Sequence, residues 1–226
     1  MEPCRYEVKM TFSEMHLPDV RSWVRLHPDA FLEAYPPRWV NTLYFDTHGI
    51  DCLNDNLIGA NERRKLRFRW YGDDCSTVRG GLELKCKVNR LGWKERCPIP
   101  LTFDLTAASW SDLVRRMRKH AHGSFAVWLS CVDQPVLIYR YMREYYESVD
   151  HLVRVTIDYD HAVYEQFTYS VPNLTVRAPV EEQNVVEVKS DATLSRRVSD
   201  VLSSLPLQVR RNSKYVNGMV GSLCFL

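Results

Sequence analysis

Five short segments of the chain alternate charged with apolar residues, and nine of their thirteen charged positions are basic. They are RYEVK at 5–9, KLRFRW at 65–70, LELKCKV at 82–88, VRVTID at 153–158 and VEVK at 186–189. A period of two predicts strands with one apolar and one polar face. One such strand reads well as a solvated charged face. Five such strands, three of them net basic and none with more than one acidic residue, point instead to a sheet whose polar face lines a basic cavity. On that face we place Arg5, Lys9, Lys65, Arg67, Arg69, Lys85, Lys87, Lys94, Arg96, Arg143, Arg154, Lys189 and Lys214, against the acids Glu7, Glu83, Asp158 and Glu187. A confined set of cations is costly to desolvate unless an anion joins it. A phosphate chain suits it, because Arg offers a planar fork to phosphate oxygens and Lys a mobile point charge. The few carboxylates are then suited to holding Mg²⁺ or Mn²⁺.

The apolar alternates Leu66, Phe68, Trp70, Leu82, Leu84, Val153, Val155 and Ile157 would point away from the cavity and need helices to cover them. Helical spacing is read over Leu17–Leu26, where Asp19 is the expected cap. It recurs over 106–122, where Trp110, Leu113, Val114 and Met117 follow i, i+3, i+4, i+7 and Gly123 is the expected C-cap. Further helices are read over 194–205, ended by Pro206, and over Lys214–Leu223. Strands are expected at 4–12, 40–46, 63–71, 82–88, 93–99, 136–148, 152–159 and 185–189. The proline-bearing stretch 27–38 reads as a loop, the strand at 93–99 as stopped by Pro98 and Pro100, and 164–180 as a strand–loop insertion. Many strands and few long helices predict an α+β fold with the sheet closed into a barrel of basic interior, helices packed outside. No repeat or interdomain linker is visible, so residues 1–226 are expected to form a single domain.

The bulk numbers bound the partners. A net charge of +2 on 226 residues predicts no nucleic-acid partner. The seven cysteines form no C-x-x-C pair and no zinc spacing, which predicts a reduced, cytoplasmic setting. The polar first ten residues carry no secretory signal pattern, and no apolar run reaches membrane-spanning length. Action at a membrane would therefore need a partner. No feature fixes an oligomeric state.

The basic strands fall within a longer ordered series: RYEVK (5–9), YFDT (44–47), KLRFRWYG (65–72), LELKCK (82–87), KER (94–96), YMREYY (141–146), RVTID (154–158), VEVK (186–189) and SKYVNG (213–218). This series resembles the VTC-type (vacuolar transporter chaperone) polyphosphate polymerase domain of the triphosphate tunnel metalloenzyme superfamily, over residues 5–218. The resemblance implies a closed, eight-stranded antiparallel tunnel that binds ATP and inorganic polyphosphate with a divalent metal, Mn²⁺ or Mg²⁺. It also implies transfer of the γ-phosphoryl of ATP onto a growing polyphosphate chain. Carried over residue by residue, it gives phosphate contacts to Lys9, Arg67, Arg69, Lys85, Lys94, Arg143, Arg154, Lys189 and Lys214, with hydrogen bonds from Tyr141 and Ser213. Arg67, Arg69, Lys85, Arg143 and Lys189 would carry the transfer, and Glu187 with Glu7 would hold the metal. Hydrolytic relatives carry Glu-x-Glu-x-Lys on the first strand. Here the first Glu is replaced by Arg5, which weakens the case for a carboxylate-activated water. A hydrolase of triphosphate or polyphosphate, and a polyphosphate-binding module without turnover, are the alternatives.

Overall fold

The computed structural model describes residues 5–89, 91–180, 183–205, 207–210 and 212–223. The side chain of Arg5, counted above among the cavity bases, and Pro206, the expected helix stop, lie outside the described residues. The elements run β1 (Arg5–Phe12), α1 (Leu17–Leu26), β2 (Leu32–Asp46), α2 (Asp51–Leu57), β3 (Glu62–Tyr71), β4 (Val78–Val88), β5 (Leu91–Phe103), α3 (Trp110–His120), α4 (Ser124–Cys131), β6 (Gln134–Glu147), β7 (Val153–Glu165), β8 (Asn184–Asp191), α5 (Ser195–Ser203) and α6 (Lys214–Leu223).

The eight strands form one hydrogen-bonded sheet in the order β1-β8-β7-β6-β2-β3-β4-β5. The pairs β1/β8, β7/β8, β2/β3, β3/β4 and β4/β5 are antiparallel. The α+β class is as expected, but the closed barrel is not formed: among the described residues β1 and β5 end the sheet and do not pair with each other. The chemistry of β5 agrees with an open edge. It runs through Pro98 and Pro100 instead of stopping at them, and proline, lacking an N–H, is tolerated in a strand chiefly at an edge. β2 likewise runs through Pro36 and Pro37, where a loop is expected. Its residues up to Pro37 are exposed, so the missing donors leave no buried carbonyl unpaired.

The chain divides into two compact units. The first comprises residues 1–38, 141–161 and 181–213. Its core packs the apolar face of β1, β7 and β8 (Met10, Phe12, Val153, Val155, Ile157, Val186, Val188) with Leu17, Val20 and Val24 of α1 and Val198 and Val201 of α5. α1 starts with Pro18 in its first turn, where a missing N–H costs nothing. Asp19 lies inside that first turn, and His16 takes the cap position.

The second unit comprises residues 39–140, 162–180 and 214–226. Leu66, Phe68, Trp70, Leu82 and Leu84 are each at most 1% exposed, which makes this the apolar face that alternation predicts. Burial of side chains of this size stabilises by about 1.5–3 kcal/mol each. Phe68 meets Phe103 of β5 edge to face, ring centroids 5.6 Å apart. α3 begins later than its periodicity suggests, because Ser109 Oγ accepts the Asp112 N–H and fixes the N-terminus there. Gly123 does not end α3. It stands at φ +57° as the N-cap of α4, a helix the periodicity does not reveal.

Gly80 marks a tight approach. A Cβ there would lie 2.1 Å from the Arg69 carbonyl oxygen, beside a register shift between Arg79 and Gly81. Gly80→Ala is therefore expected to lower stability by about 2–3 kcal/mol, read as the shift in urea midpoint. A change below about 0.5 kcal/mol, the usual range for neutral surface sites, would mean that the bulge absorbs the methyl.

Candidate functional site

The polar face of β3, β4 and β5 is ruled in cross-strand rows. Arg63 faces Lys87; Lys65, Lys85 and Lys94 stand in line; Arg67, Glu83 and Arg96 form the next row; Arg69 pairs with Gly81. Eight cations therefore share this face with one carboxylate. Like charges directly opposite one another destabilise a sheet, and the all-lysine row is such an arrangement.

Glu83, 8% exposed, is the hub. Arg67 Nε donates to it at 2.8 Å and Arg67 Nη2 lies 2.6 Å away. Arg69, Lys94 and Arg96 follow at 3.6, 3.5 and 3.6 Å. Burial alone would raise the Glu83 pKa, but Arg67, Arg69 and Lys94 win and hold it at about 2. Lys94 is shifted down chiefly by burial, which the pull of Glu83 opposes and repulsion from Arg96, Arg67 and Arg69 reinforces. Arg69 also reaches Thr42 Oγ1 at 3.3 Å, while Lys85 is exposed.

The same unit contains an anchor that sequence reading missed. Tyr215 of α6 donates its hydroxyl to Asp46, which is fully buried and also accepts the backbone N–H groups of Thr47, Cys52 and Leu53. The Tyr215 ring packs on Tyr44 and lies 5.5 Å from Lys65 Nζ. Lys214 opens α6 and Ser213 precedes it, so this anchor fixes the helix start next to them. The signal was present in the YFDT and SKYVNG motifs, but only folding shows that they meet.

The first unit carries a second cluster. Register places Glu7 opposite Lys189, Lys9 opposite Glu187, and Glu187 opposite Thr156. Lys9 Nζ bridges Glu7 at 3.0 Å and Glu187 at 3.1 Å. Lys189 Nζ lies 2.9 Å from Glu187 and 3.8 Å from Glu7. Arg143 holds Asp158 through Nε and Nη2 at 2.5 and 2.6 Å and lies 3.6 Å from Glu187. Burial opposes charge on Glu187, yet Lys189, Lys9 and Arg143 keep its pKa well below the carboxylate range. Burial also opposes charge on Lys9 and Arg143. Glu187 and Glu7 hold Lys9 above the usual lysine range, and Asp158 foremost holds Arg143 above that of arginine. Tyr141, 1% exposed, stacks on His161 with the Arg143 guanidinium 5.2 Å from its ring. Arg154 stands opposite Lys189 in register, but its side chain is engaged elsewhere. Its side chain is 61% exposed and its Nε donates to Glu147 at 2.8 Å.

Among the described residues no group of three or more His, Cys, Asp and Glu is arranged to hold a metal ion. Glu187 and Glu7 do fit a more modest role. Both carboxylates meet the same Lys9 Nζ, at 3.0 and 3.1 Å, and two hard-oxygen ligands would suit a Mg²⁺- or Mn²⁺-type cation that takes its remaining ligands from phosphate and water.

The sheet carries two cation-rich clusters, one around the buried carboxylate of Glu83 and one around that of Glu187. The VTC domain family model matches residues 4–222, and the chain belongs to that family. No curated protein matches it. Among solved structures it is similar to the Schizosaccharomyces pombe Mediator head module, with 12% identity, a TM-score of 0.51, and coverage of 91% of this chain and 96% of that one. It is also similar to a candidate adenylate cyclase from Vibrio parahaemolyticus, with 11% identity, a TM-score of 0.49, and coverage of 94% and 96%. At such identities the likeness concerns fold alone. No helix among the described residues is long and apolar enough to cross a membrane.

Proposed function

We propose that this VTC-domain chain is an ATP-dependent polyphosphate polymerase, moving the γ-phosphoryl of ATP onto the end of an inorganic polyphosphate chain. The observation that supports the reading is the concentration of basic side chains on β3–β5: eight cations share one face with Glu83, three lysines of them in one row. Phosphoryl transfer needs alignment and charge neutralisation more than covalent help from the protein. Arg67 and Arg69, braced by Glu83, present their remaining N–H donors to phosphate oxygens. Lys85 and Lys94 add mobile charge. In the first unit Arg143, fixed by Asp158, and Lys189 do the same, with Lys9 beside them. Glu187 and Glu7 are the residues that would hold Mn²⁺ or Mg²⁺, which supplies further neutralisation at phosphate oxygens when bound. Fixed donors of this kind cost no reorganisation as charge shifts between oxygens.

One observation favours a second reading, a polyphosphate-binding module without turnover. Lys9, Lys189 and Arg143 already surround the carboxylate of Glu187, as in a structural ion cluster. The test is to incubate the protein with ATP and Mn²⁺, with and without a short polyphosphate primer, and resolve nucleotides and chains together. ADP with matching chain growth is expected, falling by about 10²–10³-fold in Arg67→Ala, the usual loss when one transition-state donor is removed. Free phosphate or a shortening primer would replace the polymerase with a hydrolase. Tight polyphosphate binding without turnover would establish the binding module.

A further inference from the structure

The segment Tyr35-Pro36-Pro37-Arg38 is absorbed by none of the chemistry above. Tyr35 is 58% exposed, an unusual place for an aromatic ring on a strand. It meets Tyr145 of β6 edge to face, ring centroids 5.8 Å apart. The Arg38 guanidinium carbon sits 5.5 Å from the Tyr35 ring centroid and 4.9 Å from that of Tyr145, and Arg38 Nε donates to Tyr145 Oη at 3.3 Å. The series continues inward, since Arg143 lies 5.9 Å from the same Tyr145 ring and is the arginine that holds Asp158 and approaches Glu187. An open aromatic and a cation thus lead, through one shared tyrosine, to the phosphate-binding cluster of the same unit.

Two features argue that this surface is made for a ligand. Two consecutive prolines hold the backbone between Tyr35 and Arg38 near fixed φ values, so the ring and the guanidinium are presented with little entropy left to lose on binding. Thr156, opposite Glu187 and 9% exposed, has a buried hydroxyl with no hydrogen-bond partner. A polar group so placed calls for a partner that arrives with the ligand.

We infer that Tyr35, Arg38 and Tyr145 form a stacking platform for the base of a nucleoside triphosphate whose phosphates lie on Arg143, Lys189 and Lys9. The inference rests on the phosphate-binding reading of that cluster. It adds that the unit distinguishes a nucleotide from a bare phosphate chain through the flat face of the base. Every base has such a face, so the platform accepts purines broadly and reads no base edge. Guanidinium and aromatic surfaces are the usual partners for it.

The test compares binding of ATP and of inorganic tripolyphosphate, by calorimetry on the whole chain, for the wild type, Tyr35→Ala and Tyr35→Phe. Tyr35 is exposed, so both variants are expected to fold, and their melting curves verify it. ATP affinity is expected to fall roughly tenfold in Tyr35→Ala, within the range for one base–aromatic stack. Tripolyphosphate affinity should be unchanged, and Tyr35→Phe should bind ATP as the wild type does. Equal weakening of both ligands, or no weakening of ATP, overturns the platform and leaves the phosphate site standing. Failure of the wild type to bind either ligand overturns the phosphate reading itself, and the platform with it.

Discussion

Arg143→Ala is expected to lose both stability and turnover, and a double variant is expected to separate the two losses. Asp158 is fully buried and held by two hydrogen bonds from Arg143. Removing the arginine leaves a carboxylate in the interior without its main counter-charge, a change that costs about 3–5 kcal/mol and lowers Tm by on the order of 10 °C in a chain of this size. Replacing both partners, as Arg143→Met with Asp158→Leu, removes the charge and its need together. Such exchanges of a buried ion pair for apolar groups are often neutral, so the melting temperature should return most of the way. Chain growth from ATP should stay down by about 10²–10³-fold, because the donor to phosphate is still missing. Thermal melts and the product assay on the three proteins decide it. A double variant with wild-type turnover would remove Arg143 from the phosphate machinery. A single variant that melts like the wild type would mean that Asp158 does not depend on its arginine.

Glu83 should make the protein acid-sensitive in a defined window. Its folded pKa, about 2, lies below the ordinary 4.5. The stabilisation from its ionised form is therefore complete above pH 4.5 and is lost as pH falls toward 2. The shift corresponds to ~3 kcal/mol. The unfolding free energy of the wild type, read from urea melts, should fall across that window by this amount more than that of Glu83→Gln. The glutamine variant should already be destabilised at pH 7, where it leaves Arg67, Arg69 and Lys94 without their shared carboxylate. Added inorganic tripolyphosphate should restore more stability to Glu83→Gln than to the wild type, since an anion that binds only the folded state stabilises it by mass action. Parallel pH profiles for the two proteins would show that Glu83 is not the titrating group. A variant unmoved by tripolyphosphate would show that the freed cations do not take phosphate.

Much of this was legible because alternation is local. Leu66, Phe68 and Trp70 turn to the core and Arg67 and Arg69 away from it, as a period of two dictates. α1 and α6 fall where their spacing places them. Four features were not legible, each for a physical reason. α4 reads FAVWL with no polar face to set a period. β2 and β5 cross prolines that halt a strand only where its N–H groups are needed. Closure of the sheet depends on whether its two end strands meet, which no window of sequence contains. The grouping of cations also depends on register. KLRFRW and LELKCK each advertise bases, but only the register, which sets Arg67 opposite Glu83 and Lys65 opposite Lys85, reveals which of them share a row. Arg154 illustrates the limit. Its strand pattern matches that of the others, yet Glu147 on the neighbouring strand claims it.

The two prolines of β5 bear on how the protein behaves among copies of itself. A sheet that ends in a bare strand offers its backbone to any other extended chain, the first step toward fibres and precipitates. Pro98 and Pro100 interrupt that row of donors, so a stray segment finds no continuous ladder to join there. The sheet is thereby protected at one margin by backbone chemistry that works at any salt concentration.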